Sequence, residues 1–273
     1  MGEALEIRPL EAALAVPRLR WTLAQGTDAG ARVTAEETPV ALVHDGSTTA
    51  VMMATPADLE DFAVGFSLTE GLVASLADIR SVEVAASELG VEVRLWLAPE
   101  RAAQVAARRR RLAGPTGCGL CGVESLAEAR RSLARIESAL RAAPHELLAA
   151  MQALSEAQDL GRRTRAAHAA GFWACGELVA AREDVGRHNA LDKLVGALAR
   201  RDLPPEGVVL LTSRVSVEMV QKTAALGAPI LCAVSAPTTL AVRAAEAAGL
   251  TLVAVARSDG MEVFTRPERL ALG

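Results

Sequence analysis

The 273-residue chain contains no tyrosine, and aromatic residues make up only 3% of it. Proteins that bind single-stranded nucleic acid stack the bases on aromatic side chains, so this scarcity argues against that class. The formal net charge of -4 provides no general attraction for DNA or RNA. We therefore expect no nucleic-acid partner, and any anion-binding site has to be local.

Long apolar runs are also missing from the sequence. No run approaches the roughly 18–20 residues that span a bilayer, and the N-terminal segment lacks the basic and apolar regions of a signal peptide. Four cysteines are few for a disulfide scaffold in a chain of this length, and they favour reduced thiols in the cytosol. The sequence therefore predicts a cytoplasmic protein with no membrane association.

The N-terminal part divides into an unpatterned lead-in and a strand-rich unit. Residues 1–28 carry no clear pattern and are expected to be loosely ordered. Between residues 29 and 98, one pair of strands meets at the turn signal Asp45-Gly46 and a second pair meets at Leu89-Gly90. A helix with one apolar face lies between the two pairs. This order predicts a small α+β domain over 29–98.

Residues 99–160 are expected to form a helical connector that carries a glycine-rich loop. Pro99 begins a helix that ends in four consecutive arginines, Arg108–Arg111. After the loop, a second helix is predicted from the apolar residues that share one side, namely Leu126, Leu133, Ile136 and Leu140. A third helix is predicted from about Pro144 to Gln158.

Residues 161–273 show the pattern of a larger α/β domain. Two strands joined by a turn at Gly176 come first, and a helix begins near His188. The apolar strands "GVVLLTS", "PILCAVS" and "TLVAVAR" then alternate with amphipathic helices that end in glycine. Continuous apolar strands separated by helices are typical of a parallel sheet covered by helices. The predicted fold class is therefore α/β, with a smaller N-terminal α+β domain.

Polar residues follow each strand of this predicted sheet. They include Arg187, His188, Thr212–Arg214, Ser235, Thr238 and Arg257–Gly260. Ligands of open α/β sheets bind outside the carboxyl ends of the strands, and free helix N-termini there suit phosphate groups. The pattern favours a nucleotide-like ligand, although the hydroxyls can equally serve only as helix N-caps. Neither GxxxxGK[ST] nor GxGxxG is present, so a P-loop or a Rossmann dinucleotide site is not expected.

The glycine-rich loop contains a single CxxC pair, Cys118 and Cys121. A structural zinc site needs four ligands and a zinc deaminase needs H-x-E with P-C-x-x-C, and the chain supplies neither set. A thioredoxin-like pair would lie at a strand-to-helix junction, whereas this pair follows a helix. The remaining interpretations are a sulfur-carrying thiol and incidental surface cysteines. The arginine run either lowers the pKa of such a thiol or is only a solvated helix face. Cys175 and Cys232 lie in apolar strands and are expected to be buried.

One of the four histidines has two possible roles, and the other three are expected to be structural. His188 either contacts a ligand or is a core histidine held by Asp184 or Asp192, and the sequence does not choose between them. The other histidines are expected to be structural, and they are His44, His145 and His168.

Several segments together resemble a known family. They are "TGCGLCGVESL", "AREDVGRHNALDKLVG", "SVEMVQKTAALGAPIL" and "SAPTTLAVRAAEAAGLTLVAVAR". From Val33 to Leu270 the chain is similar to the formate dehydrogenase accessory sulfurtransferase family, FdhD. The resemblance implies that the C-terminal domain is a cytidine-deaminase-like α/β sandwich without the deaminase zinc, and that the protein holds no intrinsic metal.

The resemblance also implies a function in maturing formate dehydrogenase. In that family a cysteine takes sulfur from a cysteine desulfurase as a persulfide and passes it to the molybdenum of the bis(molybdopterin guanine dinucleotide) cofactor. Carried over by motif, the catalytic thiol is Cys118, with Cys121 as a helper. The implied cofactor-binding residues are Ala256, Arg257, Ser258, Asp259, Gly260 and Met261, with Arg187, His188, Arg214 and Lys222 as partners for its phosphates. The alternative is a chaperone that binds this cofactor without catalysis, and a homodimer is expected in either case.

Overall fold

The computed structural model describes residues 10–112 and 133–272, and for residues 108–112 it describes the backbone only. The N-terminal part contains six strands, β1 (Ala13–Thr22), β2 (Gly26–Ala35), β3 (Thr38–His44), β4 (Ser47–Ala54), β5 (Ile79–Ser87) and β6 (Gly90–Leu97). Helix α1 (Leu59–Thr69) lies between β4 and β5, and helix α2 (Pro99–Leu112) follows β6. The prediction of a helix that begins at Pro99 and ends in the arginine run is thus confirmed.

The rest of the described chain alternates helices and strands. Its helices are α3 (Pro144–Ala157), α4 (Asp159–Thr164), α5 (Arg187–Arg200), α6 (Val217–Leu226) and α7 (Thr239–Ala248). Its strands are β7 (His168–Ala174), β8 (Glu177–Asp184), β9 (Val208–Leu211), β10 (Ile230–Ala233), β11 (Thr251–Arg257) and β12 (Gly260–Thr265). In the described ranges, no helix is long and apolar enough to cross a membrane.

Strands β3 to β6 form a four-stranded sheet in the order β4-β3-β6-β5. The turn between β3 and β4 contains Asp45 and Gly46, both with positive φ, which is the backbone that a type I′ hairpin turn requires. One face of the sheet packs Leu42 and Val93 against Phe62 of α1, and all three side chains are fully buried. The predicted hairpins and the helix between them are confirmed.

Strands β1 and β2 form a separate two-stranded ribbon that the sequence pattern did not predict. It pairs Ala13 with Ala35 at one end and Thr22 with Gly26 at the other, where residues up to 28 were expected to be loosely ordered. The prediction for residues 13–28 is therefore wrong. The apolar side chains of this ribbon give no signal of burial because they face solvent: Leu19 is 76% exposed and Trp21 is 69% exposed.

The C-terminal sheet has the order β12-β11-β10-β9-β7-β8. Strands β9, β10 and β11 are parallel, and the flanking strands are antiparallel to their neighbours. One face packs against α5, α6 and α7 through residues such as Leu191 and Met219, and the other packs against α3 through Leu147 and Leu154. The predicted α/β sandwich is confirmed, whereas its likeness to cytidine deaminases stays an expectation.

One predicted helix is absent where the structure describes it. Residues 133–143 form no helix. The Ile136 N–H instead donates to the carbonyl oxygen of Ala248 at 2.8 Å, and Ala142 forms an isolated parallel bridge with Leu270. Helical spacing of Leu133, Ile136 and Leu140 was therefore misleading, since a chain docked to other backbone can also bury apolar residues at such intervals. Leu126 lies outside the described residues.

The two sheets are joined by a close contact between α1 and α5. A Cβ atom at Gly65 would overlap the carbonyl oxygen of Asp192, and one at Gly196 would overlap the carbonyl oxygen of Asp61. The two helix backbones approach each other this closely because both positions are glycine. The N-terminal residues near α1 and β4 are thus packed directly beside α5. The domain boundaries drawn from the sequence stay a prediction.

Candidate functional site

Four chain segments meet at one edge of the C-terminal sheet, which we call the strand-end edge. It consists of the residues that follow the carboxyl ends of β8, β9, β10 and β11. Because β7 and β8 are antiparallel, His168 pairs with Asp184, and the start of β7 lies at this same edge. The Thr212 N–H donates to the Ala169 carbonyl at 3.1 Å, which ties the end of β9 to the start of β7. The predicted convergence of the strand ends is confirmed.

Some hydroxyls at this edge stabilise the fold. The Thr238 Oγ1 accepts a hydrogen bond from the Ala241 N–H at 3.2 Å and caps helix α7. The Thr212 Oγ1 accepts one from the Ala169 N–H at 2.9 Å. For these two threonines, the structural role that the sequence left open is the one that the geometry supports.

The N-terminus of helix α5 is the part of the edge best suited to an anion. Its N-cap residue is Gly186, which has no side chain to accept hydrogen bonds from the first turn. The first N–H groups of a helix have no partner within the helix, and together with the helix dipole they favour a negatively charged ligand. Within the described residues, the buried Nε atom of Arg187 has no hydrogen-bond partner. An uncapped helix of fourteen residues and an unsatisfied guanidinium atom thus lie at one position.

His188, the next residue of this turn, is held in its neutral form. Burial lowers its pKa to about 4, and the positive charges of Arg187 and Lys222 add to the effect, against smaller opposing contributions from Glu218 and Glu70. Burial also lowers the pKa of His168, again with Arg187 contributing. At neutral pH the edge therefore presents uncharged imidazoles beside the arginine, and these can exchange hydrogen bonds with a ligand without adding charge.

The two carboxylates that the sequence offered as partners for His188 are engaged with lysines. Asp184 Oδ2 lies 2.6 Å from Lys193 Nζ, and Asp192 Oδ1 lies 2.9 Å from Lys222 Nζ. All four side chains are at most 7% exposed. Neither aspartate therefore holds His188 as a core histidine, which was the alternative to a ligand contact.

Lys222 has a structural role, which differs from the phosphate contact predicted for it. Its Nζ atom donates to Thr69 at 3.0 Å, to Glu70 at 2.9 Å and to both carboxylate oxygens of Asp192 at 2.9 and 3.0 Å. Burial alone would lower the pKa of Lys222, but Asp192 and Glu70 raise it above the ordinary value. An ammonium group has three N–H donors, and these contacts use all of them. We therefore leave Lys222 out of the candidate site.

The predicted cofactor segment, residues 256–261, spans the end of β11, the turn at Ser258 and Asp259, and the start of β12. Arg257, Ser258 and Asp259 are exposed there, whereas Ala256 is buried. Gly260 and Met261 are half-buried, and Met261 packs against the core beside α3. The register of the two strands shifts between Ala254 and Arg257, and in this bulge Val255 has a φ of 52°. A β-branched residue in this left-handed region is strained.

The predicted ligand residues share one edge but not one pocket. Arg187 follows β8 and Arg257 ends β11, and four strand spacings separate these two strands in the sheet order. At about 4.8 Å per spacing, the two positions are about 19 Å apart. Arg214, which follows β9, is exposed between them. The arrangement suits a long ligand with several phosphate groups, because no compact anion could reach all three arginines.

Of the four cysteines, two can be placed. Cys118 and Cys121 lie outside the described residues. Cys232 is buried as predicted, and burial raises the pKa of its thiol to about 12. The prediction for Cys175 is wrong: this residue is exposed in the turn between β7 and β8, where its φ is 53°, at the opposite end of the sheet from the strand-end edge. The Cys175-Gly176 pair forms the turn itself, so Cys175 is not part of the strand.

The sequence patterns did not reveal two buried charged residues, namely Lys193 beside this edge and Asp61, whose partner Arg200 lies at the far end of α5. Lys193 is fully buried between Asp184 and the end of β4, and Asp61 of α1 accepts hydrogen bonds from Arg182 and Arg200. For Lys193, the available signal was a charged residue at a buried position of an amphipathic helix, four residues after Asn189. Among residues 10–112 and 133–272, no group of three or more His, Cys, Asp or Glu residues is placed to hold a metal ion.

The fold is that of an α/β protein, and the arginines spaced along its strand-end edge suit a long, phosphate-bearing ligand. The model of the FdhD/NarQ family matches residues 35–271. The chain is 52% identical over 258 residues to the sulfur carrier protein FdhD of Agrobacterium fabrum, a match that covers 93% of this chain and 95% of that protein. The sulfur carrier protein FdhD of Bordetella bronchiseptica is 50% identical over 239 residues, which is 87% of each chain.

A solved structure agrees with these relatives. The crystal structure of a formate dehydrogenase accessory protein from Desulfotalea psychrophila is similar to this fold with a TM-score of 0.75 and 25% sequence identity, covering 95% of this chain and all of that one. The chain therefore belongs to the FdhD/NarQ family, as the resemblance of its motifs predicted.

Proposed function

We propose that this protein is a sulfurtransferase that carries sulfur to the molybdenum bis(molybdopterin guanine dinucleotide) cofactor and is needed for formate dehydrogenase activity. The observation that carries the proposal is the 52% identity, over nearly the whole chain, to a protein named sulfur carrier protein FdhD. The similarity to a formate dehydrogenase accessory protein supports the same client. We expect the transfer to take place in the cytoplasm, where thiols remain reduced.

In this proposal Cys118 is the sulfur-bearing residue. Its thiolate bonds to the sulfane sulfur of a cysteine desulfurase persulfide, and the desulfurase cysteine leaves as a thiolate. The result is a persulfide on Cys118 and a free thiol on the desulfurase, so the step needs no external oxidant. Cys121 is the helper thiol of the pair, and the neighbouring arginines favour the ionised form of both.

The cofactor is the substrate of the transfer, and the strand-end edge supplies suitable partners for its phosphates. The uncapped N-terminus of α5 and the unsatisfied Nε atom of Arg187 fit one phosphate group. The exposed Arg214 and Arg257 fit others farther along the edge. A guanine dinucleotide carries its phosphates on an elongated frame, which agrees with arginines spaced along about 19 Å of sheet edge. A homodimer, in which two edges serve the two halves of the cofactor, belongs to the same proposal.

The persulfide is tested by mass spectrometry after incubation with a cysteine desulfurase and cysteine. We expect one added sulfur on the peptide that contains Cys118 and no added sulfur in Cys118→Ala. Cys175→Ser is the matched control, because Cys175 is an exposed thiol far from the edge, and this variant should be loaded as fully as the unaltered protein. Sulfur found on Cys175 alone would contradict the proposal.

A reconstituted activation assay distinguishes sulfur transfer from the second candidate function, that of a non-catalytic chaperone for the cofactor. Sulfur transfer requires that Cys118→Ala leaves formate dehydrogenase inactive while Cys175→Ser activates it. Full activation by Cys118→Ala would show instead that the protein only binds and delivers the cofactor.

A further inference from the structure

The carboxylate of Asp184 holds the turn that leads into helix α5. Its Oδ1 atom accepts hydrogen bonds from the Gly186 N–H at 2.7 Å and from Asn189 Nδ2 at 3.0 Å. Its Oδ2 atom accepts one from the Thr55 N–H at 3.0 Å and pairs with Lys193 Nζ at 2.6 Å. Asp184 and Lys193 are both 0% exposed, so solvent does not compete for any of these contacts.

The same turn and the start of α5 also make hydrogen bonds to Met53, near the end of strand β4, and to Thr55, which follows it. The Val185 N–H donates to Thr55 Oγ1 at 3.1 Å, and Lys193 Nζ donates to the Thr55 carbonyl at 2.8 Å. Asn189 Nδ2 also donates to the Met53 carbonyl at 2.8 Å. The N-terminal unit therefore contributes directly to the position of a turn that belongs to the C-terminal sheet.

These contacts settle which backbone groups of the turn are free. The N–H groups of Val185 and Gly186 are used within the cluster, and among the residues that the structure describes the first N–H groups without a partner are those at the start of α5. Arg187 is the residue directly after the turn. Its position and the direction of the first helical turn therefore follow from the atoms that hold Asp184.

A stabilising role alone is a weak explanation for this cluster. Burial lowers the pKa of Lys193, with Asp184 opposing the shift, which shows that the ammonium is held in an unfavourable environment. Replacing a buried ion pair by apolar residues of similar volume is often neutral or stabilising, so such pairs are poor evidence for stability. A hydrophobic pair could not accept hydrogen bonds. The carboxylate of Asp184 accepts them from three different segments and so defines one backbone geometry.

We propose that Asp184 is a positioning residue for the anion site: with Lys193 and Thr55, it sets the turn so that Arg187 and the N-terminus of α5 face the ligand. The proposal rests on the proposed function, since it assumes that a phosphate of the cofactor binds at this position. Asp184 itself touches no ligand, and it acts only through the turn.

The test uses guanosine diphosphate as the probe, because it carries the guanosine and diphosphate groups of the cofactor's nucleotide half. The variant is Asp184→Asn combined with Lys193→Met, which removes both buried charges together and leaves no uncompensated ion in the core. Affinity is measured by calorimetric titration at fixed salt concentration, and folding is checked by the melting temperature. We expect the double variant to remain folded and its affinity to fall at least tenfold.

The matched control is Asp61→Asn. Asp61 is also buried and also joins the two units, since it accepts hydrogen bonds from Arg182 and Arg200, but Arg200 lies at the far end of α5. We expect its melting temperature to fall and its affinity for guanosine diphosphate to stay within twofold of the unaltered protein. An equal loss of affinity in the control, or none in the double variant, would overturn the positioning role.

A second readout does not depend on the nucleotide. Burial of His188 in the native turn lowers its pKa to about 4. NMR titration should show this pKa rising toward 6.5 in the double variant, because the histidine is no longer held in its buried site. An unmoved His188 pKa overturns the positioning role whatever the nucleotide does. If the unaltered protein fails to bind guanosine diphosphate, the nucleotide site of the proposed function is overturned together with the ligand role of the turn.

Discussion

Basic residues near the strand-end edge differ in whether they are available to bind a ligand. Arg187 has a buried atom without a hydrogen-bond partner among the described residues, whereas the ammonium group of Lys222 is saturated by three side chains. Both are basic residues near the ends of strands or helices, and no local pattern distinguishes them. The difference follows from the residues that tertiary folding brings to Lys222, which include Thr69, the last residue of α1, and Glu70, which follows it.

His188 makes the stability of the protein sensitive to acid. Its pKa is lowered from 6.5 to about 4 in the folded state, so the unfolded chain binds a proton first as the pH falls. The stabilisation is fully present above pH 6.5 and is lost as the pH falls toward 4, by about 3 kcal/mol for a shift of this size. We expect His188→Gln to show a flatter loss of unfolding free energy over this range than the unaltered protein.

This pH dependence is measured by urea denaturation at several pH values. Carboxylates also titrate in this range, so the informative quantity is the difference between the variant and the unaltered protein. His145→Gln is the control because His145 is exposed, and its curve should follow that of the unaltered protein. Parallel curves for His188→Gln and the unaltered protein would show that His188 is not buried in its neutral form.

At the scale of elements, the contact between α1 and α5 depends on two glycines. A Gly→Ala change inside a helix ordinarily gains up to about 1 kcal/mol from helix propensity. At Gly65 the added Cβ would overlap the Asp192 carbonyl oxygen, which is backbone and cannot move independently. Overpacking of this kind costs about 1–3 kcal/mol or more and outweighs the propensity gain.

We therefore expect Gly65→Ala to lower the unfolding free energy by about 2 kcal/mol or more, measured by chemical denaturation. Gly30→Ala in strand β2 is the control, because a Cβ there meets only the side chain of Arg18, at 3.7 Å. Its effect should be below about 0.5 kcal/mol. A stabilised Gly65→Ala variant would mean that α1 and α5 are farther apart than described.

The elements also show where sequence patterns succeed. The hairpin turn at Asp45-Gly46 requires a backbone that few residue pairs adopt, and the buried strands β9 to β11 have no polar interruption, so both were predictable. The ribbon of β1 and β2 was not, since its Leu19 and Trp21 face solvent and create no alternation of buried and exposed positions. Residues 133 to 140 have helical spacing, but the backbone partner of Ile136 is Ala248, more than a hundred residues away in the chain.

At the scale of the whole molecule, the two units are joined by a carboxylate as well as by glycine contacts. Asp61 of α1 is 5% exposed and receives hydrogen bonds from Arg182 at 2.7 Å and from Arg200 at 2.7 Å. The neighbouring Glu60 also pairs with Arg200, but that carboxylate is 44% exposed. The two acidic residues therefore provide a buried and an exposed contact to the same guanidinium group.

Asp61→Asn should lower the unfolding free energy by about 2 kcal/mol, since it removes the buried negative charge that Arg182 and Arg200 share, while Asp58 and Glu60 still pair with them. Glu60→Gln should change it by less than about 1 kcal/mol, because exposed ion pairs contribute little. Chemical denaturation measures both values. A single transition in both variants is expected, since the two units share the α1–α5 contact; two separate transitions would show that they unfold independently.

The sequence by itself determined the family, the α/β class and the convergence of polar residues on one sheet edge. Each of these depends on local patterns: contiguous motifs, apolar strands at regular intervals, and the rule that parallel strands end at the same side. Only the tertiary structure decided which of the basic residues are available there. Availability depends on partners that are distant in the sequence, as when Thr55 meets Asp184 and Thr69 meets Lys222, and no local pattern records such pairs.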